Sequence, residues 1–290
     1  MLFRSLSMKK SFFPGVSGVL VLFLIPYLMV ILMNGLDTAL LNRTFNVEML
    51  LPVIVASEMG SEYELEAVKA QTIIARSEFY RKLQEKKNLS SVLTQIREET
   101  EFREGEILQA LIENLNYEKA VTETESEVLA VDGKLQLTPY HELSAGRTRD
   151  GAEVLHSEEY AYLKSVESDM DKGSEDFLNS VYINQSVLPE RLVIKSRDSA
   201  GYVTEILADG DILEGESFRK GMGLSSANFT IQKIGKEIRF LCKGRGHGLG
   251  FSQYGGNEMA KEKKSAEEIL EFYFPEMELV DIYRDVLQYL

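Results

Sequence analysis

Glu58 is the acidic side chain whose surroundings suit chemistry. It lies in the apolar run NVEMLLPVIVASEM (Asn46–Met59), just before the helix-stopping Gly60. A helix carboxyl end carries partial negative charge, and neighbours such as Val55 and Met59 disfavour ionisation, so both effects raise this carboxyl's pKa. Acid cleavage of a glycosidic bond needs such a protonated carboxyl aimed at the leaving oxygen. Lys69 and Arg76 are seven residues apart, which puts them on nearly one face of a helix. They can hold a carboxylate, acetamido or hydroxyl-rich ligand, or form a solvated face paired with Glu62, Glu66 or Glu78. The loop Tyr140–Thr148 (YHELSAGRT) offers His141 beside Glu142, but the second histidine of a zinc-protease motif would fall on Ala145, so that motif fails. The densest signal is GRGHGLGFSQYGG (Gly244–Gly256). Its glycines let the backbone approach a ligand closely, and His247, Ser252, Gln253 and Tyr254 can then supply hydrogen bonds. Cys242, five residues before His247, could be a nucleophile, but alternation with Ile238 and Phe240 puts it on an apolar strand face.

These residues need elements to hold them. The spacing predicts a short helix ending near Met59 and a second from Ser61 through about Lys86, opened by a Ser61–Glu64 capping box. Leu65, Val68, Thr72, Ala75 and Phe79 give that second helix one buried stripe. Val128–Val131, the Asp132-Gly133 pair and Leu135–Leu137 predict a hairpin, and strands follow at Leu192–Ile194, Val203–Leu207, Phe229–Ile234 and Ile238–Cys242. Helices come early and strands late. The expected fold is α+β, a two-lobed body around a cleft with a helical hairpin and antiparallel strands. No surrounding βαβ unit supports a dinucleotide reading of the glycine loop.

The 290 residues carry 32 Lys+Arg against 46 Asp+Glu, a formal charge of −14 that disfavours a nucleic acid partner. One cysteine excludes an intrachain disulfide and a cysteine-rich zinc site. Arg4, Lys9 and Lys10 precede the apolar run Val16–Met33, long enough to cross a bilayer core of about 30 Å. The run exceeds the hydrophobic region of a typical signal peptide and lacks a prompt cleavage site. The expected layout is a cytoplasmic amino terminus (1–11), a transmembrane helix (12–34) and an extracytoplasmic domain (35–290) on a single-pass cell-membrane protein, with the basic residues inside. An acidic domain facing an anionic wall must catch its ligand in a local cleft.

Four segments, IVASEMGSEYELEAVKAQTIIARSEF (Ile54–Phe79), HELSAGRT (His141–Thr148), FRKGMGLSSANFTI (Phe218–Ile231) and GRGHGLGFSQYGG, together resemble the stage II sporulation protein D family, in order and across nearly the whole exported region. The resemblance implies a membrane-anchored lytic transglycosylase, or a related noncatalytic amidase enhancer, acting on peptidoglycan during engulfment of the forespore. It implies that Glu58, in Ala56-Ser57-Glu58-Met59, is the catalytic glutamate of the family's A-E-M motif. Lys69, Gln71, Arg76, His141, Ser144, His247, Ser252, Gln253 and Tyr254 are the implied substrate-binding residues. Partners implied are peptidoglycan glycan strands, an engulfment amidase and another membrane subunit. Some relatives hold zinc with a cysteine near the middle histidine; here Tyr140 and Ser144 flank His141, so no metal or other cofactor is expected.

Overall fold

The computed structural model describes residues 47–99 and 104–286. The expected cytoplasmic segment and transmembrane helix lie outside the described residues; among those described, no helix is long and apolar enough to cross a membrane.

In chain order the elements are helices α1 (Leu51–Glu58), α2 (Leu65–Lys86), α3 (Leu89–Glu99), α4 (Glu104–Glu113) and α5 (Asn116–Glu123), strands β1 (Glu127–Val131), β2 (Lys134–Leu135) and β3 (Tyr140–His141), and helix α6 (Gly151–Leu155). Then follow β4 (Leu178–Asn184), β5 (Leu192–Arg197), β6 (Val203–Ala208), β7 (Asp211–Glu214), α7 (Gly215–Gly221), β8 (Phe229–Ile234), β9 (Glu237–Lys243), β10 (Phe251–Ser252), α8 (Gln253–Lys261), α9 (Ala266–Tyr273) and β11 (Glu278–Asp281). The fold is α+β, as expected, and all four later strands form.

Two hydrophobic cores organise the chain. The first gathers around α2, with Val55, Ile74, Phe79, Tyr117, Phe251, Ile269 and Tyr273 among its members. The second holds Val203, Phe218, Phe229, Phe240 and Cys242, between the antiparallel sheets β4-β9-β8 and β5-β6-β7. Cys242 is fully buried there as a small apolar side chain.

Local expectations fail where a distant segment intervenes. Helix α2 begins at Leu65, four residues later than expected, because its Glu64 amide donates to Asn257 Oδ1 of α8 at 2.8 Å and the Ser61–Glu64 box does not form. The middle of α2 is buried on nearly every side, including Gln71, Ile73, Ile74, Arg76 and Ser77, rather than along one stripe. Helices α8 and α9 come after every strand but β11, although helices were expected only early. The hairpin turn has the double positive φ of a type I′ turn, 49° at Asp132 and 70° at Gly133. Its second strand ends at Leu135, short of Leu137. One pairing is parallel: β10 lies beside β3, Phe251 against Tyr140 and Ser252 against His141, joining the glycine-rich segment to the histidine loop.

Candidate active site

Helix α1 carries Pro52 in its first turn, where the missing N–H costs nothing, and ends because Met59 turns extended at φ −139°. Glu58 is its last residue. Two glutamines from two other helices hold this carboxyl end. Gln71 Nε2 of α2 donates to Glu58 Oε2 at 2.8 Å. Gln253 Nε2, at the start of α8, donates to the Glu58 backbone carbonyl at 2.9 Å and to Gln71 Oε1 at 3.2 Å. The carbonyl that a helix end leaves open is thus satisfied. Burial pushes the Glu58 carboxyl from its ordinary 4.5 up to about 7; hydrogen bonds from Gln71 and Tyr140 and the positive charge of Lys82 oppose the rise, while Glu78 adds to it. Such a group is divided between acid and base near neutral pH, which suits proton transfer in both directions.

Two cavities share Glu58. One, about 400 Å³, runs past Ser57, Gly60 and Ser61 to Gln109 and Glu113 of α4. The other, about 570 Å³, extends past Glu78, Lys82 and Tyr140 to Lys220 and His247, so it has walls from both cores. The Glu58 carboxyl is therefore approached from two sides.

The two histidines take opposite tautomers. His141 Nδ1 lies 3.0 Å from the Leu249 carbonyl and must carry the proton, so Nε2 is an acceptor; this buried atom has no partner among the described residues. The Leu249 amide donates to His247 Nδ1 at 3.1 Å, which leaves the His247 proton on Nε2. Burial, then the neighbouring His247, lowers His141 to about 3. Burial, with Arg219 and Arg149 nearby, lowers His247 to about 4. Both rings are neutral at physiological pH. They form a pair, with centroids 5.8 Å apart. A zinc ion does not fit this donor set: beside the pair the loop offers Tyr140 and Ser144, and among the described residues no three metal-binding side chains cluster.

Buried charges fix the loops around the histidines. Arg149 Nε donates to Asp198 Oδ2 at 2.5 Å, and its Nη1 reaches Glu216 at 3.1 Å and the His247 carbonyl at 3.2 Å. Asp171 accepts from the Ser144 amide at 3.1 Å and the Ser252 hydroxyl at 3.0 Å. Ser144 and Ser252 are fully buried and act within this frame. The Tyr254 amide donates to the Glu142 carbonyl at 3.0 Å, and its side chain is on neither cavity wall. The glycines bring the backbone close to the chain itself rather than to a ligand. A Cβ on Gly246, at φ +103°, would stand 2.8 Å from His141 Cβ; one on Gly248, at φ +81°, would stand 2.6 Å from the Tyr202 ring.

Lys69 and Arg76 share a face, but not the face of the site. At about 100° per residue, Gln71, Ala75, Glu78 and Lys82 of α2 fall within about 60° of one another, whereas Lys69 and Arg76 lie about 140–160° from Gln71. Lys69 is held by Glu66 and Glu123, each at 2.7 Å. Arg76 is fully buried and uses its donors on Glu48 Oε1 and Oε2, the Thr124 hydroxyl and the carbonyls of Glu127 and Val121. Their expected part in substrate binding is corrected to a part in the fold, because those donors point to protein atoms. Of the remaining expected residues, the structure gathers Glu58, Gln71, Gln253 and the two histidine loops. Sequence reasoning missed Tyr140, Lys82 and Lys220 on the larger cavity. The heptad spacing Gln71–Glu78 and the further turn to Lys82 was a signal for the second; Lys220 gave none.

Comparison with known proteins finds relatives of the whole domain by sequence. The sequence profile described as Stage II sporulation protein matches residues 37–130. The chain is 28% identical over 242 residues to the stage II sporulation protein D of Bacillus subtilis (strain 168), covering 76% of this chain and 70% of that protein. It is 29% identical over 263 residues to an uncharacterized protein of Brachyspira hyodysenteriae (strain ATCC 49526 / WA1), covering 86% and 70% respectively. The amidase enhancer of Bacillus subtilis (strain 168) is more distant, 21% identical over 286 residues, or 77% of this chain and 39% of that protein. The likeness to stage II sporulation protein D is thus found by a profile over residues 37–130 and by an alignment over 76% of this chain.

Proposed function

From this likeness to a family of sporulation proteins, we propose that the chain is a peptidoglycan lytic transglycosylase with Glu58 as its acid and base. The observation that carries the reading is a carboxyl at about 7 that accepts from Gln71, itself held by Gln253, at the meeting of two cavities. Protonated Glu58 gives its proton to the oxygen linking N-acetylmuramic acid C1 to N-acetylglucosamine, and the C1–O bond breaks. The resulting carboxylate removes the proton of the muramoyl C6 hydroxyl as its oxygen bonds to C1. The product is a 1,6-anhydro sugar, Glu58 is protonated again, and no water is consumed.

Glu78, the other carboxylate on the larger cavity, supports a one-carboxylate scheme by being engaged elsewhere. Its Oε1 accepts from the Thr138 amide at 2.7 Å and its Oε2 pairs with Arg81 Nη2 at 2.7 Å. Gln71 and Tyr140 stabilise the Glu58 carboxylate formed after the first proton transfer. His141, with its open Nε2, and His247 are neutral polar groups beside the path. The same reading places the domain outside the cell membrane on an anchor at 12–34, working with an engulfment amidase and a membrane subunit.

Peptide-stripped glycan strands incubated with the full chain and analysed by mass spectrometry test the reaction. Anhydro-muramoyl ends are expected; reducing muramic acid ends would make the protein a hydrolase. The distant likeness to an amidase enhancer favours one second reading, a noncatalytic wall binder, for which the isolated chain yields neither product.

A further inference from the structure

The Phe218–Ile231 motif has no part in the proton transfers, yet it brings Lys220, near the end of α7, to the wall of the larger cavity. The two cavities sharing Glu58 differ in charge. Around the smaller one the lining side chains include Glu58 and Glu113 and, among the described residues, no Lys or Arg. Around the larger one stand Arg81, Lys82 and Lys220 with Glu58 and Glu78. Arg81 and Glu78 neutralise each other at 2.7 Å. Glu58 is protonated when it acts as the acid. The positive charge of Lys220 remains, in a chain of net charge −14. The preceding residue, Arg219, is tied to Glu216 at 2.7 Å, whereas Lys220 forms no ion pair among the described residues and is exposed.

A cationic wall on one side of the acid, and none among the described residues on the other, matches a polymer with alternating charge. In a glycan of N-acetylglucosamine and N-acetylmuramic acid, the anion is the carboxylate of the muramoyl 3-O-lactyl group; the other sugar is neutral. We propose that the cavity around Lys220 is a carboxylate subsite for the muramoyl residue. The strand then lies with the muramoyl ring that supplies C1 in the larger cavity and the departing N-acetylglucosamine in the smaller one. This inference rests on the glycan-cleaving reading and adds to it a direction of binding. The carboxylate has two sources, the free lactyl group of a stripped strand or the acidic groups of a stem peptide.

Binding can be measured apart from turnover in the full chain carrying Glu58→Gln, with and without Lys220→Met. The probes are peptide-free glycan oligomers, the same oligomers with lactyl carboxyls converted to methylamides, stem-peptide-bearing oligomers and chitooligosaccharides of equal length. An exposed lysine–carboxylate contact corresponds to about a fivefold preference for the free-carboxyl oligomers over the methylamides. That preference is expected to weaken with salt and to vanish in Lys220→Met, whose exposed side chain leaves the fold unaffected. Retention of the preference in Lys220→Met, or equal binding of carboxyl and methylamide forms, overturns the subsite. Preference for stem-peptide oligomers that is lost with Lys220 assigns the carboxylate to the peptide. Binding of no glycan at all removes the inference and the glycan reading together. Failure of the unmodified chain to form anhydro ends, with the Lys220-dependent preference intact, removes only the cleavage reading. A disaccharide ending in 1,6-anhydromuramic acid is expected to perturb the NMR signals of Tyr140 and Lys220; perturbation of Ser61 and Gln109 instead reverses the strand direction.

Discussion

Replacing Glu58 by glutamine tests the site without any substrate. Glutamine keeps the shape of the protonated acid and still offers Gln71 an acceptor, so the variant should match the parent in stability at low pH. The difference arises as the parent ionises. Burial moves the folded carboxyl from 4.5 to about 7, so the folded state binds the proton more tightly than the unfolded chain. Its contribution is full below about pH 4.5 and is lost as pH rises through about 7. At about 1.4 kcal/mol per pH unit the loss has a ceiling of about 3 kcal/mol, and partial contact with cavity water brings the expectation to about 2 kcal/mol. Urea unfolding of both chains at intervals from pH 4 to pH 8 reads the difference directly, because groups common to both cancel. The variant should gain about 2 kcal/mol on the parent across that range. A flat difference, or one that grows toward low pH, would show that this carboxyl is not held protonated by the fold.

Arg76→Met leaves the largely buried Glu48 without its bidentate partner and should cost about 3–5 kcal/mol in urea unfolding, whereas Lys69→Met should cost under about 1 kcal/mol. Loss of glycan affinity at unchanged stability in either variant would return these cations to the site. Gly246→Ala should lower stability by about 1–3 kcal/mol, since its Cβ meets His141 at positive φ. Gly221→Ala, in α7 with nothing within 4 Å, should be neutral or slightly stabilising in the same urea unfolding.

The legible parts of this molecule are those decided by near neighbours in sequence. The end of α1 at Glu58, the end of α2 at Lys86, the Asp132-Gly133 turn and the alternating strands β8 and β9 all follow from local pattern. Parts decided by distant contact were not. Asn257 caps α2 from 193 positions away, which displaced a plausible local capping box. Helix α8 carries Gly255 and Gly256, poor helix formers, because a Cβ at either would strike Tyr273 or Phe251. Helix α9 does have a readable signature, the Ser265–Glu268 capping box. The glycine-rich segment needs its glycines for a reason other than the expected approach to a ligand, since its close approaches are to His141 and Tyr202. For Lys69 and Arg76 the helical wheel alone held the correction: a helix cannot turn Gln71 and Arg76 toward one cleft. Tyr140 packs on the first core and Lys220 lies on α7, whose Phe218 packs in the second; they line one cavity from distant segments, and no spacing encodes that.

The proton-shuttling role of Glu58 is tested most directly by the rate at which anhydro-muramoyl ends form from peptide-stripped strands in the parent, Glu58→Gln and Glu58→Asp chains. The account predicts loss by at least about 100-fold in Glu58→Gln, which can neither give nor take the proton, and partial activity in Glu58→Asp, which retains the group on a shorter arm. Anhydro ends appearing in Glu58→Gln at the parental rate would contradict it.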